Sequence, residues 1–264
     1  MRSLKRHALL WFSVFLWIIS FSCKALAPVS APMSTETPRS TGTPLPIATG
    51  TPVPTNTLRP SPTLRPTRTP NMTATQRFET YAAEAQKYYD LGYISTADGK
   101  FVEYDDFSEE WAQMGWYNWW ILGEEAENFY LSAHVKWSSA YQNAVNSGCG
   151  FAFAIQRNTD HYAVFLDRSR VIFLVSNSKG TREVELTRGN PNVRFGNPAE
   201  ADFVLFVKGR YAFVLVDGLP KGEYLLLPSQ QVRGKLGLTL LSGTNRDYGT
   251  RCEMTNLHAF FPSE

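Results

Sequence analysis

From about residue 93 to its end the chain is a succession of short alternating segments separated by turn residues, and this limits its possible folds more than any other feature. "NFYLSAHVKW" places Phe129, Leu131, Ala133, Val135 and Trp137 on one side of an extended chain. Tyr130, Ser132, His134 and Lys136 fall on the other, the period-2 signature of a strand. "GFAFAIQR" sends Phe151, Phe153 and Ile155 one way. "HYAVFLDR", "RVIFLVS", "ADFVLFVKG", "RYAFVLVDG", "EYLLLP", "KLGLTLLSG" and "CEMTNLHAFF" follow, broken at Asn177, Gly180, Asp217-Gly218 and Gly243. Roughly ten short strands with no helix between them predict an antiparallel all-β sandwich or barrel. An aromatic content of 14% supplies large side chains for its core.

Ahead of the strands the pattern changes. In "ATQRFETYAAEAQKYYDLGYIS", Phe78, Tyr81, Ala82, Ala85, Tyr88 and Tyr89 recur at steps of three and four. The spacing predicts one amphipathic helix over 77–92, stopped at Gly92, with its aromatic stripe packed on the strand domain. Residues 23–76 are Thr, Pro and Ser with almost no large apolar side chain. Such a composition buries too little apolar surface to offset ordering, so this segment reads as a disordered tether with polyproline II character.

The N-terminus reads as an export signal over 1–22. Arg2, Lys5 and Arg6 precede an uncharged apolar run from Ala8 to Ser22. That run is short for a membrane span of ~20 residues and suits the hydrophobic part of a signal peptide. Cys23 then has three readings: a lipid anchor cut before the cysteine, part of an uncleaved membrane anchor, or a residue lost with the leader. Ser22 fits a lipoprotein cut, and Pro28 obstructs the competing cut after Ala27. We therefore expect lipidation at Cys23, with the chain held on the outer side of the cell membrane. Removing Cys23 from the count leaves Cys149 and Cys252, both at strand starts, as an expected disulfide in an oxidising compartment.

Charge is uneven. Eight Lys/Arg and one Glu lie within residues 1–76, against 18 and 23 in the remainder. The basic charge is on the tether, so the domain is not expected to bind nucleic acid.

The order of the strands resembles concanavalin A-like lectin and glucanase sandwiches, including laminin G-type modules, over about residues 95–262. "NFYLSAHVKW" looks like their opening strand. "GCGFAFAIQRNTDHYAVFLD" resembles their glycine-led hairpin, and "FVLFVKGRYAFVLVDG" a later one. "KLGLTLLSG" and "MTNLHAFF" look like the paired closing strands. The resemblance implies a two-sheet jelly roll over 93–264 that often binds carbohydrate. Glucanases of this kind carry two carboxylates on one strand in a Glu-x-Asp-x-(x)-Glu pattern. The nearest string here, "VEYDDFSEE" with Glu103, Asp105 and Glu109, has its last carboxylate one residue late and reads as an acidic edge. No Gly-x-Ser-x-Gly elbow is present, and His134, His161 and His258 have no motif partner. No cofactor is expected; a structural calcium at the rim would fall to Asp160 and Asp167.

Sugar binding calls for flat aromatic platforms beside planar polar groups. "WAQMGWYNWWIL" is the densest aromatic group. As a strand it puts Trp116, Asn118 and Trp120 on one face and Tyr117, Trp119 and Ile121 on the other. Trp116 and Trp120 are the first candidates for a binding strip. Arg157, His161 and Tyr162 around "QRNTDH" are the second, and His134 is a further polar candidate. The leading expectation is a non-catalytic surface lipoprotein that binds glycan or cell-wall polysaccharide. A glycoside-active enzyme of the same fold, and a structural or sensory module for another protein, remain the alternatives.

Overall fold

A computed structural model describes residues 72–263 apart from 145 and 158, with side chains from residue 76 onward. The expected signal segment, Cys23 and the tether through residue 71 lie outside the described residues.

Helix α1 spans Met72–Asp90. It begins inside the stretch expected as tether, because "MTATQ" carries no apolar stripe from which periodicity could be read. Its end is written in hydrogen bonds. Gly92 adopts φ +81°, its N–H donates to Tyr89 O at 2.9 Å, and the Tyr93 N–H donates to Tyr88 O at 3.0 Å. This is a Schellman cap, in which a glycine takes the left-handed position that other residues resist. The buried stripe is narrower than the spacing suggested. Ala85 and Tyr88 are buried, whereas Phe78 and Tyr89 face solvent.

Fourteen strands follow: β1 Gly99–Glu103, β2 Phe107–Trp111, β3 Trp116–Ala126, β4 Phe129–Ser139, β5 Gly148–Ile155, β6 His161–Asp167 and β7 Val171–Asn177. The second half holds β8 Gly180–Glu183, β9 Leu186–Arg188, β10 Ala199–Lys208, β11 Tyr211–Val216, β12 Leu219–Leu225, β13 Gly234–Ser242 and β14 Thr250–Pro262. They form two antiparallel sheets. One has eight strands in the order β1-β14-β4-β10-β11-β12-β9, with β2 also on β14, and the other six in the order β3-β13-β5-β6-β7-β8. The chain is an all-β two-sheet sandwich. The "VEYDDFSEE" string becomes parts of β1 and β2, short strands that both pair with β14.

The main core lies between the sheets. Every inward residue expected on β4, from Phe129 to Trp137, is in it, facing Phe151, Phe153, Val164, Phe203, Leu205 and Leu238 among others. Cys149 of β5 and Cys252 of β14 join the two sheets as a disulfide within that core.

Two irregularities change which side chains point outward. At the end of β5, Ala154 has φ +53°, so Ala154 joins the core and Ile155, expected inward beside Phe153, turns out. On β14 the register slips between Thr255 and His258, with Asn256 at φ +52°. Cys252, Met254, Leu257 and Ala259 therefore face the core, while His258 and Phe260 turn toward α1. Each is a bulge, one extra residue that flips the alternation beyond it.

The outer face of the eight-stranded sheet carries a second, smaller core. Ala85 and Tyr88 of α1, with Ile94, cover Tyr130, Val204, Phe206, Leu215 and Phe260. Polar contacts fasten the helix. His258 Nε2 lies 2.9 Å from Glu84 Oε2, the Tyr81 hydroxyl donates to Glu103 at 2.7 Å, and the Tyr81 ring stacks on His258 at 4.5 Å.

Candidate functional site

A groove of about 950 Å³ opens at one end of the six-stranded sheet. Three stretches far apart in sequence line it. From β3 come Trp119, Ile121 and Glu125. From the end of β5 and the turn after it come Ile155, Gln156, Arg157, Thr159 and Asp160. The connection between β12 and β13, with the start of β13, supplies Ser229 to Gln231 and Arg233 to Lys235.

The β12–β13 connection passes from one sheet to the other and is stitched to the six-stranded sheet by side chains. The Leu227 N–H donates to the Tyr162 hydroxyl at 2.9 Å. Gln156 Nε2 donates to Arg233 O at 2.6 Å. Asn177 Nδ2 donates to Gln230 Oε1 at 3.1 Å. This wall is thus fixed by one exposed and two half-buried hydrogen bonds, which hold the loop in one position. One group is left over. Gln230 is only 6% exposed, and its Nε2 has no hydrogen-bond partner among the described residues. A buried donor without an acceptor costs about 1–3 kcal/mol.

The opposite wall rests on His161. Its ring is 2% exposed, with centroids 4.6 Å from Trp119 and 5.6 Å from Tyr117. Nδ1 donates to the Thr159 carbonyl at 2.6 Å, which fixes the tautomer. Nε2 is then an acceptor and receives the Tyr117 hydroxyl at 2.7 Å. Burial pushes the His161 imidazole below its usual pKa; the Thr159 carbonyl and the Asp160 charge oppose that shift. Burial likewise pushes the Tyr117 phenol up, against hydrogen bonds from Ser176 and Thr181. Thr159 sits at φ +68°, a left-handed conformation in which a β-branched residue is strained. The turn bond from its N–H to Gln156 O, 3.1 Å, holds it there. Behind the aromatic pair, Ala163 packs with Phe165, Ile172 and Leu241 under Tyr117 and Leu174.

The expected site residues divide. Arg157 lines the groove, and His161 supports it from behind Trp119. Tyr162 does not face a ligand; its ring is fully buried in the main core, and its hydroxyl serves the loop. Trp120 is a correction too. It packs on the main core with its ring 5.1 Å from Phe107, so it offers no platform. Trp116 shares its side of β3 but projects past the core and is 64% exposed; the two do not form a strip. His134 is on the outer face of the other sheet, 2.8 Å from Asp202, apart from the groove. Asp160 and Asp167, to which a rim calcium would have fallen, are too far apart to share one ion. Asp160 precedes β6 and Asp167 ends it, so seven residues of strand at ~3.3 Å each separate them. Asp167 also accepts from the Ser169 N–H at 2.8 Å, closing a turn. Among the described residues no group of three or more His, Cys, Asp or Glu is placed to hold a metal.

Two parts of the groove lining were not singled out from the sequence: Trp119 and the polar run "SQQVRGK". Both were in view: Trp119 and Ile121 were the alternative face of β3, and "SQQVRGK" is a conspicuously polar connection between apolar strands.

No family model matches the sequence, and no curated protein matches it. Several solved structures are similar in shape. The carbohydrate-binding module CBM66 from Bacillus subtilis is 10% identical, with 63% of this chain aligned to 94% of that one at a TM-score of 0.41. A fructosyltransferase from A. japonicus is 11% identical over 64% of this chain at 0.43, and only 27% of the enzyme is spanned. Sheep galectin-11 is 12% identical over 53% of this chain and 98% of its own, at 0.32. At these identities and scores the likeness assigns neither family nor ligand.

Proposed function

We propose that this protein is a glycan-binding module and that the groove beside Trp119 is its binding site. The observation that carries the reading is the side-chain chemistry of that groove. An indole and an exposed isoleucine, Ile121, lie beside amides and guanidinium groups, which is the pairing a pyranose ring needs. Its apolar face packs on an aromatic plane while its hydroxyls meet fixed donors and acceptors. The volume and the mixed lining suit a short run of sugar units.

The sequence adds the setting. An export signal over 1–22, a lipid on Cys23 and a Thr/Pro tether would present the groove on the outer side of the membrane, toward glycan or wall polysaccharide. We read the module as non-catalytic.

A glycan array probed with the full chain tests the binding. The expected result is binding to a restricted set of glycans that Trp119→Ala reduces at least tenfold, with the variant still cooperatively folded. Wild-type protein that binds nothing, or a Trp119→Ala variant that binds as well as wild type, overturns the reading. Mass spectrometry of membrane-extracted chain tests the anchor; an unmodified Cys23 would remove it.

A further inference from the structure

Three cations and two carboxylates, Glu125 and Asp160, line the groove, an excess of one positive charge (3 − 2). Arg157, Arg233 and Lys235 all line it and are exposed. None of the three lies within ion-pairing distance of a carboxylate among the described residues, whereas Arg77, Arg170 and Arg251 each have one. Two of them are held where they are by structure nearby. Arg233 is fixed through its own carbonyl, which accepts from Gln156 Nε2 at 2.6 Å. Lys235 is in register with Ile155 of β5 on one side and with Glu125 of β3 on the other. Arg157 directly follows Gln156 on the opposing turn, so cationic groups approach the groove from both walls.

The three cations are hydrogen-bond donors only. Such a set asks for a ligand with more acceptors than hydroxyl groups provide, at fixed positions. We propose that the groove selects an acidic glycan, one whose sugar units carry carboxylates, as in a uronic-acid polymer. This rests on the reading of the groove as a glycan site and adds its charge class. The ring packs on Trp119, and the carboxylate reaches the guanidinium groups, which match its two oxygens in a planar fork. A single exposed ion pair contributes little, so the discrimination comes from the three cations acting together. Glu125, directly across from Lys235 on the neighbouring strand, offsets part of this charge.

The test uses the full chain with polygalacturonate, polymannuronate and hyaluronate, each beside its carboxyl-reduced neutral form. Affinity electrophoresis or calorimetry at low and high salt gives the readout. At least one uronate should bind ten or more times tighter than its reduced form, and this preference should shrink as salt is raised. Arg157→Gln with Arg233→Gln should lose at least tenfold on that polymer. Lys235→Glu, on a separate strand, provides an independent variant if the first does not fold. Equal binding of reduced and native forms overturns the charge class and leaves the glycan reading standing. Binding to none of the polymers while the array reports neutral glycans does the same. Binding to neither polymers nor array overturns both.

Discussion

On the eight-stranded sheet, Tyr130 and Phe206 face outward and lie beneath Tyr88 of α1; on the six-stranded sheet, Trp119 and Ile121 face outward, and Ile121 stays 46% open to solvent. The charges differ as the covers do. Beside the helix a cleft of about 550 Å³ holds Glu84, Glu103, Arg77 and His258, and these answer one another: Glu84 with His258, Glu103 with both Tyr81 and Arg77. The groove on the other sheet has three cations with no carboxylate at ion-pairing distance among the described residues. A sandwich with apolar outer faces has to cover them. Where a separate element supplies the cover, some of its polar groups, here Arg77, Tyr81 and Glu84, are taken up in docking. Where the sheet's own rings do so, one end is left with unspent donors. The lesson is that a binding site is more readily sought at the face that no helix has claimed.

The sharpest way to break this comparison is to remove what both faces share. Cys149→Ser with Cys252→Ser frees a loop whose ends are 103 residues apart, and the chain-entropy account sets the loss near ~4.7 kcal/mol. Denaturant unfolding with and without reductant measures it; unchanged midpoints would mean that the covalent link adds nothing to packing already present. Next in size, Tyr88→Ala should cost about 3–5 kcal/mol by leaving a cavity between helix and sheet. Glycan binding should survive, because the groove is on the other sheet. Loss of binding in a folded Tyr88→Ala protein would show that the two faces are coupled.

Neighbouring tryptophans sharpen the contrast further. Trp120→Ala should destabilise by about 3 kcal/mol, as a core truncation does. Trp119→Ala, which removes a half-buried ring from His161, should cost less, about 1 kcal/mol, while removing at least tenfold in binding. The opposite assignment of effects would place the platform on the wrong side of β3. The smallest effect concerns pH. His161 is held below its ordinary pKa of 6.5 when folded, so on acidification the unfolded chain takes a proton that the native one resists. Stability from this residue is complete above pH 6.5, falls as pH drops below it, and levels off once the folded value is passed. Urea midpoints across pH 7 to 4.5, compared with those of His161→Gln, isolate the slope. A variant with the same slope would remove His161 as its source.

Much of the frame was readable before any coordinates. The alternation in β4 placed five side chains inward without error, Gly92 stopped the helix, and the two remaining cysteines paired. These signals are local, or follow from a single count. The groove was less readable because its three walls are 119–125, 155–160 and 229–235, brought together only by sheet order. Arg157 was legible as a polar turn residue. Ile155 was not, because one residue at positive φ, Ala154, reverses the alternation after Phe153, and alternation carries no warning of a bulge at a residue other than glycine. The same applies to His258 and Phe260 beyond Asn256. Trp119 and Trp120 were distinguishable only as opposite faces. Which face meets the core depends on β13, more than a hundred residues later.

The link between Cys149 and Cys252 has one more consequence. Both loops that frame the groove, 156–160 and 226–233, lie inside the ring that it closes. A protease that nicks either loop would leave two pieces still joined covalently and still packed on a shared interior. A cut in either loop would then be a local wound, with no fragment lost.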